Sequence, residues 1–268
     1  MYPFNLMFHF SGAYQPSDEC QAWLDELPSQ PSDAFIETID TYLFKPLVSN
    51  NIFSELDVLN VGAQEVEAHA SYDLANPTRS TLSISAGLTW IQYEGWTGDG
   101  VSRYVVSNYN PSADGVNFQL NNASLFAYIR TNDTNNNCVV GAIDGTSPNR
   151  TFTQIRGQFG TTTFGALSEN VGDLNPTTNM IGLHHLKRTA SNSQVYYKNG
   201  SSVDTSTQVS TALVNKNLFY LARNYDGTVA NHSALQGSIW GAGSSNIDPS
   251  TLSSILNGYM TQLSKNVY

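Results

Sequence analysis

Residues 185–200 read His185-Leu186-Lys187-Arg188-Thr189-Ala190-Ser191-Asn192-Ser193-Gln194-Val195-Tyr196-Tyr197-Lys198-Asn199-Gly200. Two strand-like segments lie in this run. The second, with β-branched Val195 and the Tyr196-Tyr197 pair, ends on Asn199-Gly200. Asn and Gly tolerate the positive φ angles of a two-residue hairpin turn, so the spacing predicts a strand, a tight turn and a returning strand. Beyond the turn, Ser202, Asp204, Ser206 and Gln208 read as an exposed strand or loop, and Leu218-Phe219-Tyr220-Leu221-Ala222 as a further apolar strand.

The same texture extends outward. Strands are predicted at 58–61, 82–85, 88–93, 104–107, 118–120, 125–130, 138–143, 151–155, 180–186, 194–198, 219–222 and 234–241. Turn signals separate them: Gly98-Asp99-Gly100, Asp114-Gly115, Asp144-Gly145, Asn199-Gly200 and Asp226-Gly227. Many short strands with no helices between them predict a mainly β sandwich; parallel βαβ units would need the helices.

Helical patterns stand at the two ends. Ser17-Asp18-Glu19 supplies a capping hydroxyl and early negative charge to a helix with Cys20, Trp23, Leu24 and Leu27 on one face. Ser32-Asp33 starts a second, in which Phe35, Ile36, Ile39, Tyr42 and Leu43 repeat at helical spacing until Pro46 ends or kinks the run. Asp248 and Pro249 open a helix expected over 247–266, with Leu252, Ile255, Leu256, Tyr259, Met260 and Leu263 as its apolar stripe. Phe4, Leu6, Phe8 and Phe10 alternate, which predicts an extended strand, laid against the sandwich or donated to a neighbouring subunit. Two regions follow: an N-terminal strand and helical segment, 1–56, and a sandwich with its C-terminal helix, 57–268.

Charge narrows the function classes. The chain has 12 Lys and Arg against 22 Asp and Glu, a net charge of −10, and only 13% charged residues. Nucleic-acid affinity rests on clustered cations neutralising phosphates, and these cations are scattered, so no nucleic-acid partner is expected. Polar character comes instead from Ser, Thr and Asn, as on particle or cell exteriors. The first ten residues carry no basic region and no small-residue cleavage site, so no signal peptide is expected. No apolar run is long enough for membrane insertion. Cys20 and Cys138 leave two readings, a disulfide closing a long loop or two buried unpaired thiols, and the second is favoured.

Arg188-Thr189-Ala190-Ser191, Tyr197-Lys198-Asn199-Gly200 and the Ser-rich return resemble a concanavalin A-like (laminin-G-like) jelly roll. The narrower resemblance is to the variant found in structural proteins of phages infecting Bacteroidetes. It takes in Ser71-Tyr72-Asp73-Leu74-Ala75-Asn76-Pro77, Gly95-Trp96-Thr97-Gly98-Asp99-Gly100 and Leu252–Leu263, and spans residues 32–268. It implies a non-enzymatic virion structural protein (capsid decoration, spike, fibre or tail), assembled in the host cytoplasm. The partners it implies are other virion proteins, further copies of this chain as a homo-oligomer, and a host surface glycan. A bacterial carbohydrate-binding or adhesion module is the alternative, and a glycan-cleaving enzyme of the same fold the third reading.

Motifs for chemistry are sparse. Glycosidases of this fold carry Glu-x-Asp-x-x-Glu on one strand. Glu55-Leu56-Asp57-Val58-Leu59-Asn60 begins that pattern, but Asn60 stands where the acid should be, and the run sits at the helix-to-strand entry, ahead of the sandwich rather than in a central strand. His184 and His185 point to opposite faces of a strand and so do not chelate one ion. Gly241-Ala242-Gly243 lacks a phosphate-loop lysine. No cofactor is expected. Calcium, the common ion of laminin-G-like domains, would draw on Asp99, Asp114, Asp144 or Asp226, each explained by its turn. Sugar binding needs an exposed aromatic beside polar partners. Arg223-Asn224-Tyr225-Asp226, read as a loop, has that composition and is the candidate binding site, with Tyr109-Asn110 as a second such pair; the alternative, favoured for a Tyr in a loop, is that it packs on its neighbours.

Overall fold

The computed structural model describes residues 14–132, 137–146, 150–159, 162–170, 172, 174 and 179–268. The strand expected around Phe4–Phe10 lies outside them. In chain order the strands are β1 (Leu56–Val61), β2 (Ser83–Ile84), β3 (Thr89–Ile91), β4 (Gly95–Thr97), β5 (Val105–Val106), β6 (Ala123–Ile129), β7 (Cys138–Asp144) and β8 (Thr151–Phe159). They continue as β9 (Thr162–Glu169), β10 (Gly182–Ala190), β11 (Ser193–Lys198), β12 (Ser201–Ser206), β13 (Phe219–Tyr220), β14 (Arg223–Tyr225), β15 (Thr228–Ala230) and β16 (Gln236–Gly243). The molecule is a mainly β, jelly-roll-like sandwich with short N-terminal helices and a C-terminal helix.

One sheet runs β12-β11-β10-β6-β16-β4-β3, with β1 also on β16. The other runs β15-β14-β7-β13-β5-β2, and β8 and β9 extend it from the opposite edge of β7. The opening hairpin forms as its sequence demands. Lys198 pairs with Ser201, and Asn199 (φ 50°) and Gly200 (φ 82°) make the turn. Asp226 (φ 49°) and Gly227 (φ 92°) make the same turn between β14 and β15.

Alternation along β6 explains the layering. Leu125, Ala127 and Ile129 join Trp240, Leu186 and Val140 in the core between the sheets. Phe126 and Tyr128 point the other way, into a second core with Trp23, Phe44, Leu256 and Tyr259 from the helices. The first sheet is therefore buried on both faces, and β1, β6 and β16 are buried at every position. Gly241, read above only as lacking a phosphate site, sits where an added Cβ would strike the Phe126 ring.

The helical layer comprises α1 (Asp18–Glu26), α2 (Asp33–Ile39), α3 (Lys45–Ser49) and, after two short turns α4 (Glu67–Ala70) and α5 (Pro111–Asp114), the C-terminal α6 (Pro249–Gln262). Ser17 and Ser32 cap the first two, accepting from the Cys20 and Phe35 amides at 3.4 and 3.3 Å. Asp248 caps α6, accepting from Thr251 N at 2.8 Å, with Pro249 in the first turn. Pro46 does not end its run. A π-turn at Asp40–Phe44 precedes it and the helix continues to Ser49, because the widened turn accommodates a residue with no amide to donate. Residues 118–120 are not a strand: Gln119 and Asn122 close a turn with reciprocal backbone bonds of 2.8 and 3.1 Å. Cys20 lies in the helical layer and Cys138 on the second sheet, both buried and free.

A buried ion pair joins the sheets. Arg188 on β10 and Glu169 on β9 are both fully buried, with Nη2 2.8 Å from Oε2. The guanidinium also donates from Nε to Leu167 O (2.8 Å) and from Nη1 to Ser191 O (2.8 Å) and Gln208 O (3.1 Å). Gln194 donates its amide to the same Glu169 oxygen. Removing one partner leaves a buried charge uncompensated, so Arg188→Leu is expected to cost about 3–5 kcal/mol in urea unfolding. A loss below about 1 kcal/mol would show that the pair is not what joins the layers.

Candidate functional site

The chemistry-bearing residues divide into an interior network and a half-exposed cluster. The interior network starts at Asp57, the second residue of β1. Its carboxylate accepts from the Asn117 and Phe118 amides (2.9 and 2.7 Å) and from the Tyr109 hydroxyl (3.2 Å). Asp73 accepts from the Leu59 and Ala75 amides (2.9 and 3.0 Å) and faces Arg79 at 3.5 Å. Burial drives its pKa up to about 7 against the opposing pull of Arg79. Asn60 accepts from Tyr220 Oη at 2.7 Å, and Tyr220 stacks on Trp240 at 4.7 Å.

This geometry corrects two sequence readings. The Glu55–Asn60 run is not ahead of the sandwich: Leu56–Val61 is a strand of the first sheet, paired with β16. Its Asp57 is enclosed by loop amides. Glu55 accepts from Ser244 Oγ and, at 3.2 Å, from Asn246 Nδ2. Tyr109 is no sugar platform, because it is fully buried with its hydroxyl on Asp57. Asn110 caps α5, its side chain accepting from Ser112 N at 3.0 Å.

His184 and His185 do point to opposite faces. His184 shares hydrogen bonds with Tyr196 Oη (2.9 Å) and Met180 O (2.8 Å) between the sheets. His185 lies under the helices, 3.0 Å from Ser124 Oγ. Burial lowers both pKa values, that of His185 to about 3.

The calcium candidates carry partners of their own. Asp99 accepts from the amides of Val101, Ser102 and Arg103 at 2.8–2.9 Å, and Asp114 from Asn110 N at 2.7 Å. Asp144 and Asp226 converge, but on the ammonium of Lys216, at 3.9 and 3.1 Å.

The proposed binding residues form strand and turn rather than loop. Asn224 is buried and serves the hairpin: it donates to Asn217 O (2.9 Å) and accepts from Gly227 N (2.8 Å). Arg223 and Tyr225, two residues apart, share the other face, with the guanidinium 5.3 Å from the ring centroid. Tyr225 packs on Ile143, Phe152 and Ala166, a small apolar cluster on the second sheet. Arg150 stands over Phe152 at 4.7 Å. Sequence reading missed Arg150 and Phe152, because register alone brings them here: β7 pairs Ile143 with Tyr225 on one side and with Phe152 on the other.

Solved structures of similar fold are distantly related. A Trypanosoma rangeli sialidase mutant displaying trans-sialidase activity matches at 11% identity and TM-score 0.51, over 88% of this chain and 39% of its own. The receptor-binding domain of botulinum neurotoxin D matches at 9% identity and TM-score 0.53, over 79% and 54%. Trypanosoma rangeli sialidase in complex with sialic acid matches at 10% identity and TM-score 0.50, over 80% and 34%. This chain spans about half the length of these proteins, or less. No protein-family model and no curated protein matches it.

The buried titratable groups set opposing pH dependences. Unfolded histidine takes up a proton below about 6.5, whereas folded His185 stays neutral down to about 3, so stability falls as pH drops through that window. Unfolded aspartate ionises near about 3.9, whereas folded Asp73 stays protonated up to about 7, so its contribution is lost as pH rises through that range. His185→Gln is expected to flatten the acid limb of the urea midpoint against pH, and Asp73→Asn the limb between about pH 4 and 7. Slopes equal to wild type would contradict both assignments.

Proposed function

We propose that this chain is a non-enzymatic, lectin-like attachment module that binds a surface glycan through the β14–β15 hairpin. The observation that carries this reading is the half-exposed Arg223–Tyr225 pair, held on a rigid two-residue-turn hairpin beside Arg150 and Phe152. Such a pair offers a fork of donors beside a half-exposed aromatic edge on an element that needs little ordering on binding. The glycosidase-like carboxylates support the non-enzymatic half, since Asp57 is tied to backbone amides and Glu55 to Ser244 and Asn246. The fold likeness to a sialidase and to a toxin's receptor-binding domain supports a binding role at the level of architecture.

The setting we propose is a phage virion, in which the chain is a structural component and a homo-oligomer. This rests on the resemblance carried by the Arg188–Gly200 hairpin and the segments that accompany it. The fold likeness supports a bacterial carbohydrate-binding module equally, and solution mass separates the two. Light scattering of the full chain is expected to give a discrete oligomer that persists on dilution; a monomer would remove the virion setting. On a glycan array the chain is expected to retain a defined subset of glycans. Tyr225→Ala is expected to weaken that retention roughly tenfold or more. Unchanged binding by a folded Tyr225→Ala variant would move the site elsewhere.

A further inference from the structure

We infer that Arg150 and Arg223 form a clamp for a carboxylate, so that the ligand is an acidic glycan bearing a uronate or another carboxylated sugar. This rests on the lectin-like reading and names the class of its ligand.

The argument starts from charge pairing. With 22 acidic residues against 12 basic, most cations in this chain find a carboxylate, and seven of the 12 do so among the described residues. Arg150 and Arg223 do not. Among the described residues neither guanidinium has a carboxylate or hydrogen-bond partner, and each instead lies over an aromatic ring. Nε of Arg223 is buried without an acceptor. The nearby acids are already taken, since Asp144 and Asp226 hold Lys216.

The two guanidiniums stand over neighbouring rings on either side of Ile143 without a counter-ion, and like charges so placed repel each other. The pKa of Arg223 is lowered, by burial first, with the charge of Arg150 adding to it. Behind them Arg156 is lowered to about 10, by burial and by the charge of Arg223. A bound anion would relieve this repulsion. A carboxylate suits it because a planar guanidinium presents paired donors that match two carboxylate oxygens.

The rings decide what carries the carboxylate. Tyr225 and Phe152 flank Ile143 on one face of the sheet, each with a guanidinium above it. Tyr225 is therefore no open stacking platform, as Arg223 covers part of it. Recognition shifts from ring stacking toward charge, with the half-exposed edge of Tyr225 left for the apolar face of a sugar, since Phe152 is buried.

The test uses the full chain and pairs of glycans identical except for a terminal glucuronate or glucose, which share the pyranose ring and differ at the C6 carboxylate. Biolayer interferometry is expected to show a preference of about tenfold or more for the glucuronate member, as for a charge-assisted hydrogen bond. The preference should weaken with added salt. Arg150→Gln and Arg223→Gln are each expected to abolish it. Arg150→Gln removes only a half-exposed ring contact, so it keeps the test valid if Arg223→Gln melts early. Equal binding of both glycans, or a preference unchanged in a folded Arg150→Gln variant, overturns the clamp and leaves the lectin-like reading standing. Binding of neither glycan, and of nothing else on an array, overturns both.

Discussion

The bond between Arg188 and Glu169 is the constraint on which the sandwich turns. It is the place where a charged group from each sheet meets in the dry interior, with both side chains fully buried. Burying two ions is costly and is tolerated only when the remaining donors are also matched. Here they are, by Leu167 O, Ser191 O and Gln208 O. A one-residue slip of β10 would swing Arg188 into the helical layer, so the pair also selects register. Glu169 stands opposite Phe152 in the β8–β9 ladder, beyond the irregularity at Ser168 (φ 57°). The interaction that joins the sheets thus also sets the strand carrying Phe152, and with it the surface that carries Arg150 and Arg223.

The second constraint is the double burial of the first sheet. Helices α1–α3 and α6 cover its outer face through Phe126, Tyr128, Leu183 and Ile239. An antiparallel sheet buried on one face shows alternation in sequence; one buried on both shows a continuous apolar run. The run Ala-Ser-Leu-Phe-Ala-Tyr-Ile of β6 has this second character. The Arg223–Tyr225 pair and the Arg150–Phe152 pair belong to the other sheet.

What could be read from sequence follows these same physical lines. Asn199-Gly200 and Asp226-Gly227 were legible because the backbone they require excludes most other residues. The C-terminal helix was legible because Asp248, Pro249 and a 3.6-residue stripe agree with one another. Gly95–Thr97 was hidden by its glycine neighbours, which read as turn. Tyr109 was misread because its polar tip is satisfied by Asp57, a residue 52 positions away that no local pattern connects to it. The candidate site was half legible. The composition of Arg223–Asp226 stood out, but reading it as loop concealed the alternation that separates Asn224, which braces the turn, from Arg223 and Tyr225.

Arg150 and Phe152 show why the other half was not. They lie 73 residues from Arg223 and Tyr225 in sequence, and only the central strand β7 brings them together. That strand is hydrogen-bonded parallel to β14 and antiparallel to β8, with Ile143 as the shared rung. A parallel neighbour is unusual in a sheet otherwise built from antiparallel pairs, and no hairpin rule predicts it. It arises because β13 and β14 divide one edge of β7, β13 pairing at Val140 and Gly141 and β14 at Ala142 and Ile143. Between them the chain reverses at Leu221 (φ 60°), which brings Arg223 back along β7. The cationic character of the surface is thus a product of topology, assembled from arginines that are isolated in the sequence of an acidic chain.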